Sequence, residues 1–313
     1  MMDTIKRTTF TTVTGIMDPV RLDQYLARRF SYLSRSQWQQ EIKSGKIEIN
    51  GAPAHRPHHR VISGDTLLYS GREIAEPPVN TDFGILYEDE NLIAVSKSGN
   101  IPTHPSGRFF NNTLSMVLQN HYGHPVYPLH RLDRETSGII LFAKNTDFAS
   151  LMHTHIKNAS KTYIAVVHGN MESSEIRITA PIGNDFTSPV RKKRGIEDSG
   201  ESAITVVRRL FCFDTYTLVK ALPETGRLHQ IRVHLHHCGY PILGDKLYGL
   251  DDTFYLEFIE RGLDDELLEK LTFPRSALHS RSYSFYHPLM KKTLHLKSPL
   301  PGDMKSFISA RRS

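Results

Sequence analysis

Seven polar or charged residues crowd the eight positions from His130 to Ser137: His130, Arg131, Asp133, Arg134, Glu135, Thr136 and Ser137. The run Gly138 to Ala143 that follows is apolar and of strand length. A structural turn needs one or two such side chains, not this density. Asp133 has two readings. It can be a turn or capping residue, as an Asp beside Thr-Ser-Gly often is. It can also be a reactive group, because a loop held by a rigid strand is where reactive side chains tend to sit. With a reference pKa of about 3.9, a carboxylate there is ionised at neutral pH, able to stabilise positive charge, add to an electron-poor carbon or take a proton.

A second cluster, His229, His234, His236, His237 and Cys238, raises the question of a metal. On a helix, His229 and His236 share a face while His234 points elsewhere. No Glu occupies a metalloprotease spacing and no Cys-x-x-Cys occurs, so no metal site is expected. The His-x-Glu and Pro-Cys-x-x-Cys pair of a zinc base deaminase is absent. So are a P-loop and a dinucleotide glycine fingerprint, which argues against NTPases and Rossmann enzymes.

The elements that must position these residues follow from composition and periodicity. The 313 residues allow one large domain and a small one; 39% apolar and 23% charged residues are those of a soluble globular chain. A formal charge of +6 suits a polyanion. No apolar run reaches the ~18 residues of a spanning helix, so no membrane partner is expected. The start, MMDTIKRTTFTTVTG, has no apolar core of a signal peptide. Cys212 and Cys238 stand in unrelated contexts, which fits a reducing cytoplasm.

Residues 19–74 read as a compact module. Leu22, Tyr25, Leu26, Phe30 and Leu33 recur at helical spacing, and Ser34 or Ser36 can cap a second helix bearing Trp38 and Ile42. Gly45 stops that helix, and Asn50-Gly51 signals a tight hairpin. From Arg28 to Arg60 seven Lys or Arg (Arg28, Arg29, Arg35, Lys43, Lys46, Arg56, Arg60) face only Glu41 and Glu48. This is either a solvated basic face or a phosphate-contacting one. Gly71 to Asn80, with two prolines, reads as a linker. Beyond it, strands are expected at 85–87, 92–95, 139–143, 163–167 and 216–219, and helices at 145–156, 228–238 and 256–271. The mixture predicts an α+β domain with a mixed sheet over 81–300.

The segments RLDQYLA, LSRSQ, IKSGKIEINGAP and VISGD together resemble the S4-like RNA-binding domain. HRLDRETSG resembles the signature of RluA-type pseudouridine synthases. KTYIA (Lys161 to Ala165), TGRLHQIRVHLHHCGYPILGDKLYG (Thr225 to Gly249) and RSALHS (Arg275 to Ser280) with His287-Pro288 resemble its further motifs in the same order. The resemblance implies an isomerase that converts uridine of structured RNA into pseudouridine, with no metal or organic cofactor. It implies Asp133 as the catalytic aspartate, Arg131 filling the space of the flipped base, Tyr163 stacking on the uracil, and Arg232 pairing with the aspartate. It also implies an RNA partner, ribosomal RNA before transfer RNA, met by a monomeric cytoplasmic enzyme. Arg35, Lys43 and Lys46 of the small module are expected to contact that RNA, as are Arg191, Lys192, Lys193 and Arg194, a run too basic to be buried. The rival is a ribosome-associated RNA-binding factor that has lost catalysis. A DNA-binding regulator would need a basic recognition helix that the chain lacks. The chain departs from the family at Lys97-Ser98-Gly99-Asn100-Ile101, where Pro and Gly are usual at 98 and 100; Asn at 100 can keep the left-handed turn.

Overall fold

The computed structural model describes residues 4–30, 33–107 and 109–311. The chain divides into two compact units, one formed by Met1–Val79 with His104–Val117, the other by Asn80–Thr103 with Leu118–Ser313.

In the first unit, helices Leu22–Arg29 and Arg35–Lys43 bury Leu22, Leu26, Trp38 and Ile42 together with Ile47, Leu67 and Tyr69. Ser34 is the residue that caps the second helix. Its hydroxyl accepts from Gln37 N–H, and the Gln37 side chain accepts from Ser34 N–H. Asn50 and Gly51 both take positive φ (52° and 81°), as a two-residue hairpin turn requires. A four-stranded sheet runs Thr4–Thr12, Thr66–Ala75, Ile47–Ile49, Ala52–Ala54. Two features depart from the sequence reading. Thr4–Thr12 is a strand although its Thr-rich sequence shows no apolar alternation, and GREIA (71–75) continues the strand Thr66–Ala75 that pairs with it. The linker is therefore shorter than Gly71 to Asn80. Glu76 closes the unit by accepting the backbone N–H groups of Asn111 and Asn112 at 2.9 and 2.7 Å.

The second unit is built on a ten-stranded sheet. Its main path runs Glu175–Thr179, Ile204–Cys212, Tyr216–Pro223, Ser160–His168, Leu278–His287, Ser137–Ala143, Leu92–Lys97, Phe83–Glu88. Ser137–Ala143 pairs parallel with Leu278–His287 and antiparallel with Leu92–Lys97, so the sheet is mixed. All seven residues of Ser137–Ala143 are buried, which explains its unbroken apolar run. Helix Thr146–Lys157, capped by Asn145 on Phe148 N–H, packs Phe148, Met152 and Ile156 on the sheet. The stretch expected as one helix over 256–271 is two, Thr253–Arg261 and Asp265–Leu271. Gly262 (φ 80°) ends the first, and the Asp264 side chain caps the second on Leu267 N–H. Asn100 takes φ 61°, so the turn that usually carries glycine is kept.

Gly138 is where the reactive-looking loop becomes a strand. It has φ 108°, and a Cβ there would overlap the Ser280 backbone of the parallel neighbour. Gly123, at the end of helix Leu114–Tyr122, also has positive φ (72°) but open space around it. Gly123→Ala should cost about 1–2 kcal/mol, the price of the dihedral alone. Gly138→Ala should cost more than about 3 kcal/mol, because a backbone overlap cannot relax by a rotamer change. Urea unfolding of both variants tests this, and equal losses would mean that the close strand approach is not what demands glycine.

Candidate active site

The loop before Ser137 is fixed from both sides. The Thr103 hydroxyl accepts from Leu132 N–H at 3.2 Å and donates to Leu132 O at 3.0 Å. Lys97, 1% exposed, donates to the carbonyls of Ser98, Ile101 and Arg134 at 2.9, 2.9 and 3.0 Å. On the other flank Glu135 accepts from Lys246 Nζ at 2.9 Å and from Ser276 N–H at 3.0 Å. Asp133 sits between these clamps, its backbone carbonyl accepting from Thr136 N–H.

Asp133 Oδ2 accepts from Arg232 Nη1 at 2.7 Å. Among the described residues its Oδ1 accepts no hydrogen bond; His229 Nε2 lies 3.8 Å from it. The other edge of the Arg232 guanidinium forms a two-point bond to Asp245, at 2.6 and 2.8 Å. Asp245 is fully buried and also accepts from Leu247 N–H, Tyr248 N–H and Ser276 Oγ. The face of Arg232 lies over the Tyr248 ring, 4.7 Å from its centroid. Burial alone would raise both carboxyl pKa values. For Asp133, His229, Arg232 and Arg131 outweigh it; for Asp245, Arg232 and the two backbone donors do. Both are held below the usual carboxylate range and are ionised at neutral pH.

Arg232 stands near the start of helix Gln230–His237, whose entry is built by the motif around it. Gln230 Oε1 accepts from Thr225 Oγ1 and Arg227 N–H, while its Nε2 donates to Ile204 O and Thr205 Oγ1. A cavity of about 420 Å³ opens beside this helix, lined by Arg131, Asp133, Lys161, Tyr163, His229 and Arg232 among others. Tyr163 comes from strand Ser160–His168 and is 9% exposed. Burial pushes its hydroxyl up to about 12, so it keeps its proton at neutral pH. Arg131 is exposed at the rim. Lys161 Nζ lies 5.5 Å from the Tyr283 ring centroid and has no acidic partner among the described residues. Asp133, Arg131, Tyr163 and Arg232, singled out in sequence, thus meet in one cavity.

Two histidines near the site, His130 and His234, are engaged in structure, while His236 and His237 are exposed. His130 stacks on Tyr283 (centroids 4.7 Å, 18°), its Nε2 accepts from Leu141 N–H, and burial pulls its pKa down to about 3. His234 places its ring nitrogens on Thr205 Oγ1 and Ala180 O. The residues expected to face RNA divide into tied and open ones. Arg35 is bonded to buried Asp23, and Lys46 to Glu41; Lys43 is exposed. Arg191 and Lys192 are exposed, Lys192 over the Tyr255 ring at 4.1 Å. Lys193, at 12% side-chain exposure, pairs with Asp252 (2.9 Å) and Asp185 (3.7 Å), and the Arg194 side chain donates to Asn184. The run is therefore not too basic to be buried: acids on neighbouring loops draw Lys193 inward.

Sequence reasoning missed Asp245, Tyr248, Glu135, Lys246, Thr103 and Lys97 as parts of the site. A signal existed for two of them. Asp245 and Lys246 are charges inside the otherwise apolar stretch Ile242 to Tyr248, and buried charges need partners. Asp245→Asn should cost about 3–5 kcal/mol at pH 7, since it removes the charge that balances buried Arg232. The depressed carboxyl contributes stability that is complete above its unfolded pKa of about 3.9 and is lost as pH falls toward the folded value. Wild type should accordingly lose stability between about pH 4 and pH 2 more steeply than the Asn variant. Parallel slopes in urea unfolding across that range would show that Asp245 is not the acid-labile anchor.

Known proteins resemble this chain over most of its length. The RNA pseudouridylate synthase family model matches residues 91–237, and the S4 domain model matches residues 20–67. The uncharacterized RNA pseudouridine synthase YlyB of Bacillus subtilis (strain 168) is 32% identical over 93% of this chain and 94% of its own. Ribosomal large subunit pseudouridine synthase D of Pseudomonas aeruginosa is 32% identical over 93% of this chain and 92% of its own. The solved structure of human RNA pseudouridylate synthase domain containing 1 shares the fold, with a TM-score of 0.57 at 22% identity over 76% of this chain and 98% of that one. Among the described residues no helix is long and apolar enough to cross a membrane. A chain matched over nearly its whole length by such relatives, with both domain models in sequence, belongs to the RNA pseudouridine synthase family of isomerases and carries an S4 RNA-binding domain.

Proposed function

We propose that this enzyme isomerises uridines of large-subunit ribosomal RNA to pseudouridine, with Asp133 as the reacting carboxylate. The observation that carries the site assignment is the state of that side chain. It opens on the cavity, is ionised, is held through Oδ2 alone, and keeps Oδ1 free of hydrogen bonds among the described residues. The ribosomal target is supported by the name of the Pseudomonas relative and by the S4 domain. A monomer working in the cytoplasm goes with that substrate.

The reaction breaks the N1–C1′ glycosidic bond, turns the uracil, and joins C5 to C1′. C5 loses a proton and N1 gains one, so atoms and electrons balance without an oxidant or reductant. The target nucleotide first leaves its stack, at a cost of a few kcal/mol. Arg131, at the rim, fills the vacated stack and bonds to it through a planar guanidinium. Tyr163 gives the uracil a flat apolar face and a hydroxyl still carrying its proton. Asp133 meets the positive charge that develops at C1′. Arg232 keeps the carboxylate ionised and aimed. Lys43, Arg191 and Lys192 are the exposed cations assigned to phosphates.

Asp133→Asn should leave RNA affinity near wild type and reduce isomerisation below one per cent, a barrier change of roughly 3 kcal/mol. Because the Asp133 carboxyl is depressed and burial pulls His229 down to about 4, wild-type kcat/KM should show no acid limb between about pH 5 and pH 8. The measurement maps pseudouridine in large-subunit RNA and in transfer RNA after treatment with either protein. Sites in transfer RNA alone would overturn the ribosomal target, and an active Asn variant would overturn the role of Asp133.

Lys43→Glu and the pair Arg191→Ala/Lys192→Ala should each weaken RNA binding and flatten its salt dependence by about one log–log unit per phosphate contact removed. An unchanged slope in a salt titration would assign these cations to the solvated surface.

A further inference from the structure

His229 occupies a costly conformation at the edge of the cavity. Its φ of 59° is left-handed, which non-glycine residues adopt at a cost and which tends to mark functional sites. It precedes helix Gln230–His237 directly, yet its side chain makes no capping bond there. The ring is instead held elsewhere. Nδ1 lies 2.8 Å from the Tyr248 hydroxyl, the two rings meet edge to face with centroids 5.5 Å apart, and Nε2 lies 3.8 Å from Asp133 Oδ1.

Hydrogen-bond accounting fixes where the imidazole proton resides. The Tyr248 oxygen accepts from Arg194 N–H at 2.8 Å. A phenol has one proton to donate, and the acceptor within reach is His229 Nδ1. Tyr248 O–H therefore donates to Nδ1, and the imidazole proton sits on Nε2, facing Asp133. The reverse assignment would leave the phenol proton without an acceptor and aim the Nε2 lone pair at a carboxylate oxygen. Burial pulls His229 down to about 4, so at neutral pH the ring acts as a hydrogen-bond donor and not as a second cation.

We propose that Tyr248 and His229 form a positioning relay: Tyr248 locks the Nε2–H tautomer of His229, and that N–H closes on Asp133 Oδ1 when RNA fills the cavity. The carboxylate is then held by both oxygens, Arg232 on Oδ2 and His229 on Oδ1. Hydrogen bonds in empty active sites are often long and tighten with substrate, and the gap from 3.8 Å is of that kind. The relay deepens the assignment of Asp133 given above and rests on it, but its first half exists without RNA.

That half is tested first, on the full-length protein without RNA. Histidine nitrogen NMR near neutral pH, with the His229 signals assigned by their loss in His229→Gln, should report a protonated Nε2 and a bare Nδ1. In Tyr248→Phe, which keeps the ring under Arg232, those signals should move toward a tautomer mixture. A protonated Nδ1 in wild type overturns the relay whatever the activity. The second half is kinetic. Tyr248→Phe should lower the single-turnover rate about 10-fold, the scale of losing an orienting partner, with RNA affinity within about 2-fold. In the His229→Gln background the same change should cost less than about 2-fold, because an amide N–H donor has no tautomer to lock. Equal losses in both backgrounds would make Tyr248 a packing residue. Were wild type to form no pseudouridine, the reaction assignment would fall while the tautomer result still decided the relay's first half.

Discussion

One guanidinium shared by a buried carboxylate and a half-buried one organises this enzyme. Arg232 is too desolvated to stand alone, and Asp245 takes only two of the three hydrogen bonds it donates. Asp245 and Asp133 divide the task unequally. Asp245 is fully buried and saturated by Arg232, two backbone N–H groups and the Ser276 hydroxyl. Asp133 retains 20% side-chain exposure and one oxygen without a hydrogen bond among the described residues. The same cation thus has a structural partner and a chemically available one. The geometry of the available one is only as good as the anchoring of the other.

That anchoring explains why the site needs so much of the chain. Asp133 and Arg232 are 99 positions apart. The loop carrying Asp133 is held by Lys97 and Thr103 on one flank and by Lys246 and Ser276 N–H, through Glu135, on the other. Ser276 serves both halves, since its backbone bonds Glu135 and its hydroxyl bonds Asp245. The parallel pairing of Gly138 with Ser280 places the segment from 275 onward beside the loop, and only glycine allows that approach. A mixed sheet is therefore a requirement of the site: the loop and its support both enter at the same end of adjacent strands.

What was legible in the sequence was what is local. The density of charge before an apolar strand marked Asp133, and motif order supplied Arg131, Tyr163 and Arg232. The central strands carried their own signal, because residues buried on both faces read as apolar runs. Strand Thr4–Thr12 carried none: it lies at the edge of its sheet and is built mostly of polar residues, its identity supplied by a partner some sixty positions away. The break at Gly262 and Asp264 was written in the sequence as a stop and a cap, but the apolar periodicity on either side concealed it. Lys97 was illegible as a site residue because a charge in the sequence does not say whether its partner is water or the protein, and the apolar setting of Asp245 and Lys246 said that they have partners but not which.

The same ambiguity governs the basic residues, and it bears on how a carboxylate enzyme meets a polyanion. Net charge overstates the surface on offer, since Arg35, Lys46 and Lys193 are bound to acids of their own chain. Within the cavity the balance runs the other way. Arg131, Lys161, Arg227 and Arg232 line it against Asp133; Arg232 is shared with buried Asp245 and Arg227 pairs with Glu201, whereas Arg131 and Lys161 have no acidic partner among the described residues. The setting of the carboxylate is thus net positive although the reacting group is negative. Long-range attraction can then act on phosphates while Asp133 stays ionised and shielded by Arg232. A neutral residue in place of either open cation would weaken that attraction while leaving the charge of Asp133 in place.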